Sequence, residues 1–203
     1  MITFSVAIVA GGKSSRMGTD KSFVLIHDRP LIQHQLDRVH ALGQAETFIV
    51  TNHFERYAKL GLPMVSDVLP EMGSLGGIFT ALTHAQHDWV FTLACDMPFI
   101  NRELLQYMLA CVDDRVDGVV PRVEGYPQGL HALYRKTCLP SIQQRLSASH
   151  LKVIGFYEDV TMRYLDEAEY AIFEQVEESF FNVNTPTELE QARQIYHTKF
   201  YTG

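Results

Sequence analysis

The chain reads as an α/β protein built on a mostly parallel sheet, and three observations predict it. Apolar runs rich in β-branched residues recur at SVAIVA (5–10), ETFIVTN (46–52), MVSD (64–67), WVFTLACD (89–96) and GVVPRV (118–123). Segments with helical spacing lie between most of these runs, and alternation of this kind favours parallel strands covered on both faces. The chain is 203 residues long with 46% apolar content, enough to bury one substantial core, so a single domain over 1–203 is expected.

Each element has a local reason. PLIQHQLDRVHALG (30–43) starts at Pro30, a favourable first helical residue. It repeats apolar side chains at Ile32, Leu36 and Val39 and closes with Gly43 as a cap. GGIFTALTHAQ (76–86) and NRELLQYMLACVDD (101–114) follow the same scheme, with Asn101 capping a stripe of Leu104, Leu105, Met108 and Leu109. After Ser141 come a helical patch, the apolar segment LKVIGFYEDV and an aromatic-rich stretch ending at Phe181. Pro186 then begins a last amphipathic helix carrying Leu189, Ala192 and Ile195. No internal repeat, low-complexity tract or linker is visible.

Composition excludes several functions. No apolar window approaches the roughly 18 residues that a membrane span needs. The opening MITFSVAIVAGG has no cationic segment ahead of its apolar run and no small-residue cleavage pattern, so it reads as a first strand rather than a signal peptide. The three cysteines, Cys95, Cys111 and Cys138, are odd in number and scattered; they fit reduced thiols in a cytoplasmic protein and offer no zinc spacing. Net charge is −7, which argues against binding a nucleic-acid backbone.

Against that acidic balance, AGGKSSRMGTDK (10–21) gathers Lys13, Arg16 and Lys21 beside glycines, directly after a buried strand. A solvated cationic loop is the bland alternative; the flanking glycines and strand shift the balance toward an anion site. A Walker A loop is excluded because G-x-x-x-x-G-K-[ST] needs glycine at position 7, where Ala7 stands. The dinucleotide fingerprint fails too, since Gly11, Gly12 and Gly18 do not take its spacing. Any nucleotide here is held differently.

Ligands of open α/β sheets collect outside the carboxyl ends of the strands. The residues leaving those ends are Gly11, Gly12, Asn52, Asp67 and Asp96. Asp96 is the sharpest, because LACDMPFI sets a carboxylate directly after an apolar strand and then turns at Pro98. Helix capping is its structural alternative, although Asn101 is better placed for that task. One such carboxylate suffices for Mg²⁺, which completes its shell with phosphate oxygens and water. Cys95, its neighbour, reads as a core thiol on the opposite face of the strand.

AGGKSSRMGTDK matches AGG-x-S-x-RMG-x-DK without a break, and so the chain resembles the molybdenum cofactor guanylyltransferases. SDVLPEMGSLGGI (66–78), CDMPF (95–99) and FNVNTPTEL (181–189) agree with that family in the same order and span almost the whole chain. The resemblance implies a Rossmann-like three-layer α/β/α nucleotidyltransferase fold, with 1–117 as the nucleotide-binding half and 118–203 as the acceptor half. It implies transfer of the GMP part of GTP to the terminal phosphate of molybdopterin carrying molybdenum, with release of pyrophosphate. Carried over by motif, Val9, Ala10 and Gly11 lie against the guanine and ribose side, Gly12 lets the backbone approach closely, and both Gly12 and Lys13 join the GTP contacts. Lys21 contacts phosphate, Asn52 and Asp67 contact the nucleoside, and Asp96 contacts both nucleotide and Mg²⁺. Asn182 and Asn184 belong to the pterin side. Transient contacts with other proteins of molybdenum cofactor biosynthesis are compatible with that role.

The residue chemistry agrees with such a reaction. The attacking phosphate oxygen is already ionised near neutral pH, so positioning and cationic stabilisation carry catalysis rather than a general base. Arg16, Lys21 and a Mg²⁺ on Asp96 are the expected catalytic groups, with Lys13 adding charge. Arg16→Lys is not expected to be silent, because a planar fork and a point charge bind phosphate differently. Related cytidylyl and sugar-nucleotide transferases share R-M-G but commonly show AAG where this chain has AGG, so Gly12 favours guanine by analogy. A nucleotidyltransferase using CTP, or another phosphorylated acceptor, is the alternative. Ser74 stands where many relatives have proline, which leaves the glycine turn less rigid. Among nine histidines only His131, in a glycine-flanked segment near the expected acceptor side, stands out, and a structural role is favoured over a substrate contact.

Overall fold

The computed structural model describes residues 2–10, 21–43 and 46–201. Gly11, Gly12, Lys13 and Arg16, four of the expected site residues, lie outside them. The chain divides into two compact units that interleave in sequence. The first takes residues 1–12, 44–94 and 107–167, the second 13–43, 95–106 and 168–203.

The first unit holds the main sheet. Its strands are β1 (Phe4–Val9), β4 (Glu46–Val50), β5 (Met64–Val65), β6 (Trp89–Ala94), β7 (Gly118–Val123), β8 (Tyr126–Pro127), β9 (His131–Arg135) and β10 (Met162–Leu165). Their order is β10-β7-β9-β6-β1-β4-β5, with β8 hairpinned onto β7. Pairings of β1 with β4 and β6, of β4 with β5 and of β7 with β10 are parallel. β9 runs antiparallel between β6 and β7. The mostly parallel sheet of the sequence analysis is therefore present, with the reversed strands β8 and β9 that the apolar runs did not reveal.

All six residues of β1 and all six of β6 are buried, as expected for central strands covered on both faces. On one face Ala7, Phe48, Val50 and Val90 pack with Leu75, Ile78 and Leu82 of α3 (Gly73–His84) and with Ile142 and Leu146 of α5 (Leu139–Ser147). Gly77 lets α3 come close: a Cβ there would stand 2.5 Å from Cγ1 of Val9. Valine is stiff about χ1, so it could not easily move aside. α3 begins at Gly73, three residues before the sequence pattern places it, and Gly73 takes φ +60°. Two short helices, α2 (Phe54–Tyr57) and α6 (Glu167–Tyr170), complete the connections after β4 and β10.

The second unit is built from the hairpin β2 (Leu25–Ile26) and β3 (Arg29–Pro30), α1 (Leu31–His40) and α7 (Pro186–Ile195). Ile26, Leu31, Phe99, Val183 and Ala192 form its core, with Phe181, Leu189 and Ile195 packed against it. Pro30 precedes α1 instead of opening it, because it pairs with Leu25 in the hairpin while the Leu31 N–H donates to the Val24 carbonyl at 2.9 Å. Asn101 caps α4 (Arg102–Ala110) as the sequence suggests, its Oδ1 accepting from the Leu104 N–H at 2.9 Å. No helix among the described residues is long and apolar enough to cross a membrane.

Candidate active site

Parallel strands deliver their carboxyl ends to one edge of the sheet, and in the first unit this edge gathers the ends of β1, β4 and β5. Val9 closes β1, and both it and Ala10 are buried; the Ala10 N–H continues the ladder onto the Val50 carbonyl at 2.9 Å. Beyond β4 and β5, Asn52 and Asp67 hold each other reciprocally. Asn52 Nδ2 donates to Asp67 Oδ2 at 2.9 Å, and the Asp67 N–H donates to Asn52 Oδ1 at 2.9 Å. Partial burial raises the Asp67 pKa above the ordinary carboxylate value, and the Asn52 amide opposes that rise. The Asn52 and Asp67 drawn from two separate motifs therefore form one pair.

The second unit gathers a different set. Asp96 lies in a turn two residues past the end of β6, so neither it nor Cys95 is in a strand, and Cys95 is half-buried rather than a core thiol. The apolar run was long enough to extend the strand by pattern, but the ladder ends at Ala94, whose N–H donates to Leu130 O at 2.9 Å. The Asp96 carbonyl accepts the Val183 N–H at 3.0 Å, which ties the turn to the NVNTP segment. Lys21, at the head of a short 3₁₀ turn (Lys21–Phe23), donates from Nζ to Asn184 Oδ1 at 2.8 Å. Lys21, Asp96 and Asn184, read from three motifs across the chain, thus belong to one cluster. Asn182 is bonded locally, its Nδ2 donating to the Phe180 carbonyl at 3.1 Å.

The cluster is electrostatically unfinished. Asp96 Oδ1 is buried and accepts no hydrogen bond among the described residues. Burial raises the Asp96 pKa; the Lys21 ammonium lowers it, and the nearby Glu188 carboxylate raises it further. A buried carboxylate oxygen without a donor is costly unless a cation or proton meets it. No group of three or more His, Cys, Asp or Glu side chains able to hold a metal by itself occurs among the described residues. A hard ion that takes one carboxylate and draws its other ligands from phosphate and water fits this donor set.

Glu188 is the participant that motif reading did not single out. Its Oε2 accepts the Asn184 N–H at 2.7 Å and the Thr185 hydroxyl at 3.1 Å, while the Glu188 N–H donates to Thr185 Oγ1 at 3.2 Å. This is a variant of the capping box at the start of α7, and T-P-T-E was its legible signal. His131 is fully buried in β9, and burial holds its pKa down at about 3, so its role is in the core, as favoured from sequence.

The sequence profile of the MobA-like NTP transferase domain matches residues 6–160. A probable molybdenum cofactor guanylyltransferase of Pelotomaculum thermopropionicum is 36% identical over 193 residues, covering 95% of this chain and 93% of its own. A protein of the same description from Peptoclostridium acidaminophilum is 33% identical over 197 residues, covering 94% and 89%. Among solved structures, molybdopterin-guanine dinucleotide biosynthesis protein A of Archaeoglobus fulgidus superposes with a TM-score of 0.80 at 26% identity, covering 95% of this chain and 98% of its own.

Proposed function

Because the chain belongs to the MobA-like NTP transferase family, we propose that it transfers GMP from GTP to the terminal phosphate of molybdenum-bearing molybdopterin. An oxygen of the acceptor phosphate forms a bond to the α-phosphorus of GTP. The bond from that phosphorus to the departing pyrophosphate breaks, and the pyrophosphate carries away the charge. The guanine dinucleotide form of the cofactor is the second product.

The observation that carries this reading is the Lys21 ammonium bonded to Asn184 in the same cluster as the buried Oδ1 of Asp96, which meets no donor among the described residues. A lysine there offers a mobile point charge to phosphate oxygens and needs no proton transfer to do so. Asp96 would hold Mg²⁺, which supplies charge neutralisation on the phosphates when bound. Arg16 and Lys13 are assigned to the phosphates with Lys21. Val9, Ala10 and Gly11 are assigned to guanine and ribose, Gly12 to the close backbone approach, and Asn52 with Asp67 to the nucleoside. The acceptor contacts are assigned to Asn182 and Asn184, so nucleotide contacts come from residues before 118 and acceptor contacts from residues after it.

A cytoplasmic location is part of the proposal; three cysteines outside any disulfide are consistent with a reducing compartment. No nucleic acid is involved, in keeping with the negative net charge, and contacts with other proteins of the same biosynthesis would be transient.

The test is incubation of purified protein with Mg²⁺, molybdate-loaded molybdopterin and each of the four NTPs, with the product identified by mass. Pyrophosphate release that requires both GTP and the pterin is the expected result. Equal or greater release with CTP would move the protein to the cytidylyl alternative, and release without the pterin would remove the acceptor.

A further inference from the structure

The Lys21–Asn184 bond poses a question of support. A lysine side chain is among the richest in rotamer freedom, so a hydrogen bond holds its ammonium only if the acceptor itself is fixed. Asn184 lies in an irregular segment with no ladder of its own. Two bonds pin its backbone. On one side the Val183 N–H meets the Asp96 carbonyl at 3.0 Å; on the other the Asn184 N–H meets Glu188 Oε2 at 2.7 Å. The second bond has a carboxylate as acceptor, and charge-assisted bonds of this kind are roughly twice as strong as neutral ones.

From this chain of contacts we infer that Glu188 is a positioning residue for the transfer reaction, presenting the Lys21 ammonium to the nucleotide phosphates through Asn184. The inference rests on the function proposed above and adds a residue to it. Glu188 touches neither reactant in this role. Its carboxylate fixes the Asn184 backbone, Asn184 Oδ1 fixes the ammonium, and the ammonium stays in the cluster of Asp96. The negative charge of Glu188 also favours a cation nearby. A capping role alone requires only the bonds to Thr185, and the bond to the Asn184 N–H is additional to that need.

Three variants separate positioning from capping. Thr185→Ala removes the hydroxyl that caps α7 but leaves the carboxylate on the Asn184 N–H. It is expected to lower the melting temperature and keep turnover. Glu188→Ala removes the carboxylate from both the Asn184 N–H and the Thr185 hydroxyl, while the backbone N–H of residue 188 stays on Thr185 Oγ1. It is expected to lower kcat/KM for GTP about tenfold, the loss of one charge-assisted bond. Glu188→Gln keeps an uncharged acceptor and should recover part of that loss. In an Asn184→Ala background Glu188→Ala should cost stability but little further turnover, since the link it acts through is gone.

A measurement without turnover reads the same link. In the ligand-free protein, NMR of the lysine ammonium groups should show the Lys21 signal protected from solvent exchange in the wild type and in Thr185→Ala. The protection should be lost in Glu188→Ala and Asn184→Ala. Protection that survives in Glu188→Ala overturns the inference, as does a Thr185→Ala variant that loses as much turnover as Glu188→Ala. A wild type that releases no pyrophosphate with GTP and pterin overturns the proposed function, and the exchange experiment still decides whether Glu188 holds Lys21.

Discussion

The Asn52–Asp67 pair and the Lys21–Asp96–Asn184 cluster are both built from residues that follow strands or turns, yet they are finished to different degrees. In the pair, each side chain meets a donor or acceptor of the other, and two bonds of 2.9 Å close the loop. Among the described residues of the cluster, a carboxylate oxygen is buried without a donor, and an ammonium leans on a single amide. A self-satisfied pair suits recognition, because it presents a fixed pattern of polar groups at little internal cost. An unsatisfied carboxylate beside a cation suits chemistry, because the charge brought by a ligand completes it. Substitutions should therefore affect binding in one place and turnover in the other.

The largest effect is expected at Asp96. Asp96→Asn should lower kcat by about a thousandfold, the upper range for removing one electrostatic group at a reacting centre, with Mg²⁺ dependence of the rate lost. Its effect on stability should have the opposite sign. Burial places the folded pKa of Asp96 above its unfolded value of 3.8, so the folded protein holds that proton more tightly and stability falls as pH rises through this interval. At neutral pH the ionised carboxylate weakens the ligand-free fold, and Asp96→Asn should melt higher than the wild type. A lower melting temperature for the variant would break the contrast drawn above.

Lys21→Ala comes next, with kcat and kcat/KM for GTP falling together by about a hundredfold, the signature of charge stabilisation made in the transition state. A rise in KM with unchanged kcat would instead group Lys21 with the recognition pair. Gly77→Ala tests how the edge near the pair is supported. The new methyl group meets Cγ1 of buried Val9, and a loss of about 1–3 kcal/mol is expected in denaturant unfolding. Gly155→Ala, where nothing lies within 4 Å of the added atom and φ is not positive, should be neutral or slightly stabilising. Among the site residues the smallest effect is expected for Asn52→Ala, with KM for GTP raised about tenfold at nearly constant kcat. A fall in kcat without change in KM would erase the distinction between the two groups.

Much of this fold was legible because burial leaves period and composition behind. β1, β4 and β6 announced themselves as apolar β-branched runs, and Asn101 with its leucine stripe marked both the cap and the buried face of α4. β9 was not readable as a strand, since HALYR carries a histidine and an arginine and draws its place from pairing with β6 and β7. Asp96 lies beyond the end of β6, as its place after the apolar run implies, but Cys95 reads as a strand residue, because only the hydrogen bonding shows that the ladder stops at Ala94. At the site, specific motifs carried Asp96, Lys21 and Asn184 as separate residues. Glu188 was hidden in plain sight, because a capping-box acid has a sufficient local explanation until its bond to the Asn184 N–H is seen.

The order of residues alone determined which chemistry this protein can hold: a strand followed by glycines and cations, an acid after a central apolar run, and asparagines before a capped helix. Local propensity and burial periodicity act over a few residues, so these features survive in the linear text. Three-dimensional packing alone decided that Asn52 faces Asp67, that Lys21 reaches an amide 163 positions away, and that one oxygen of Asp96 meets no donor among the described residues. Those outcomes depend on which distant segments share a neighbourhood and on what solvent they exclude, and no window of sequence records either.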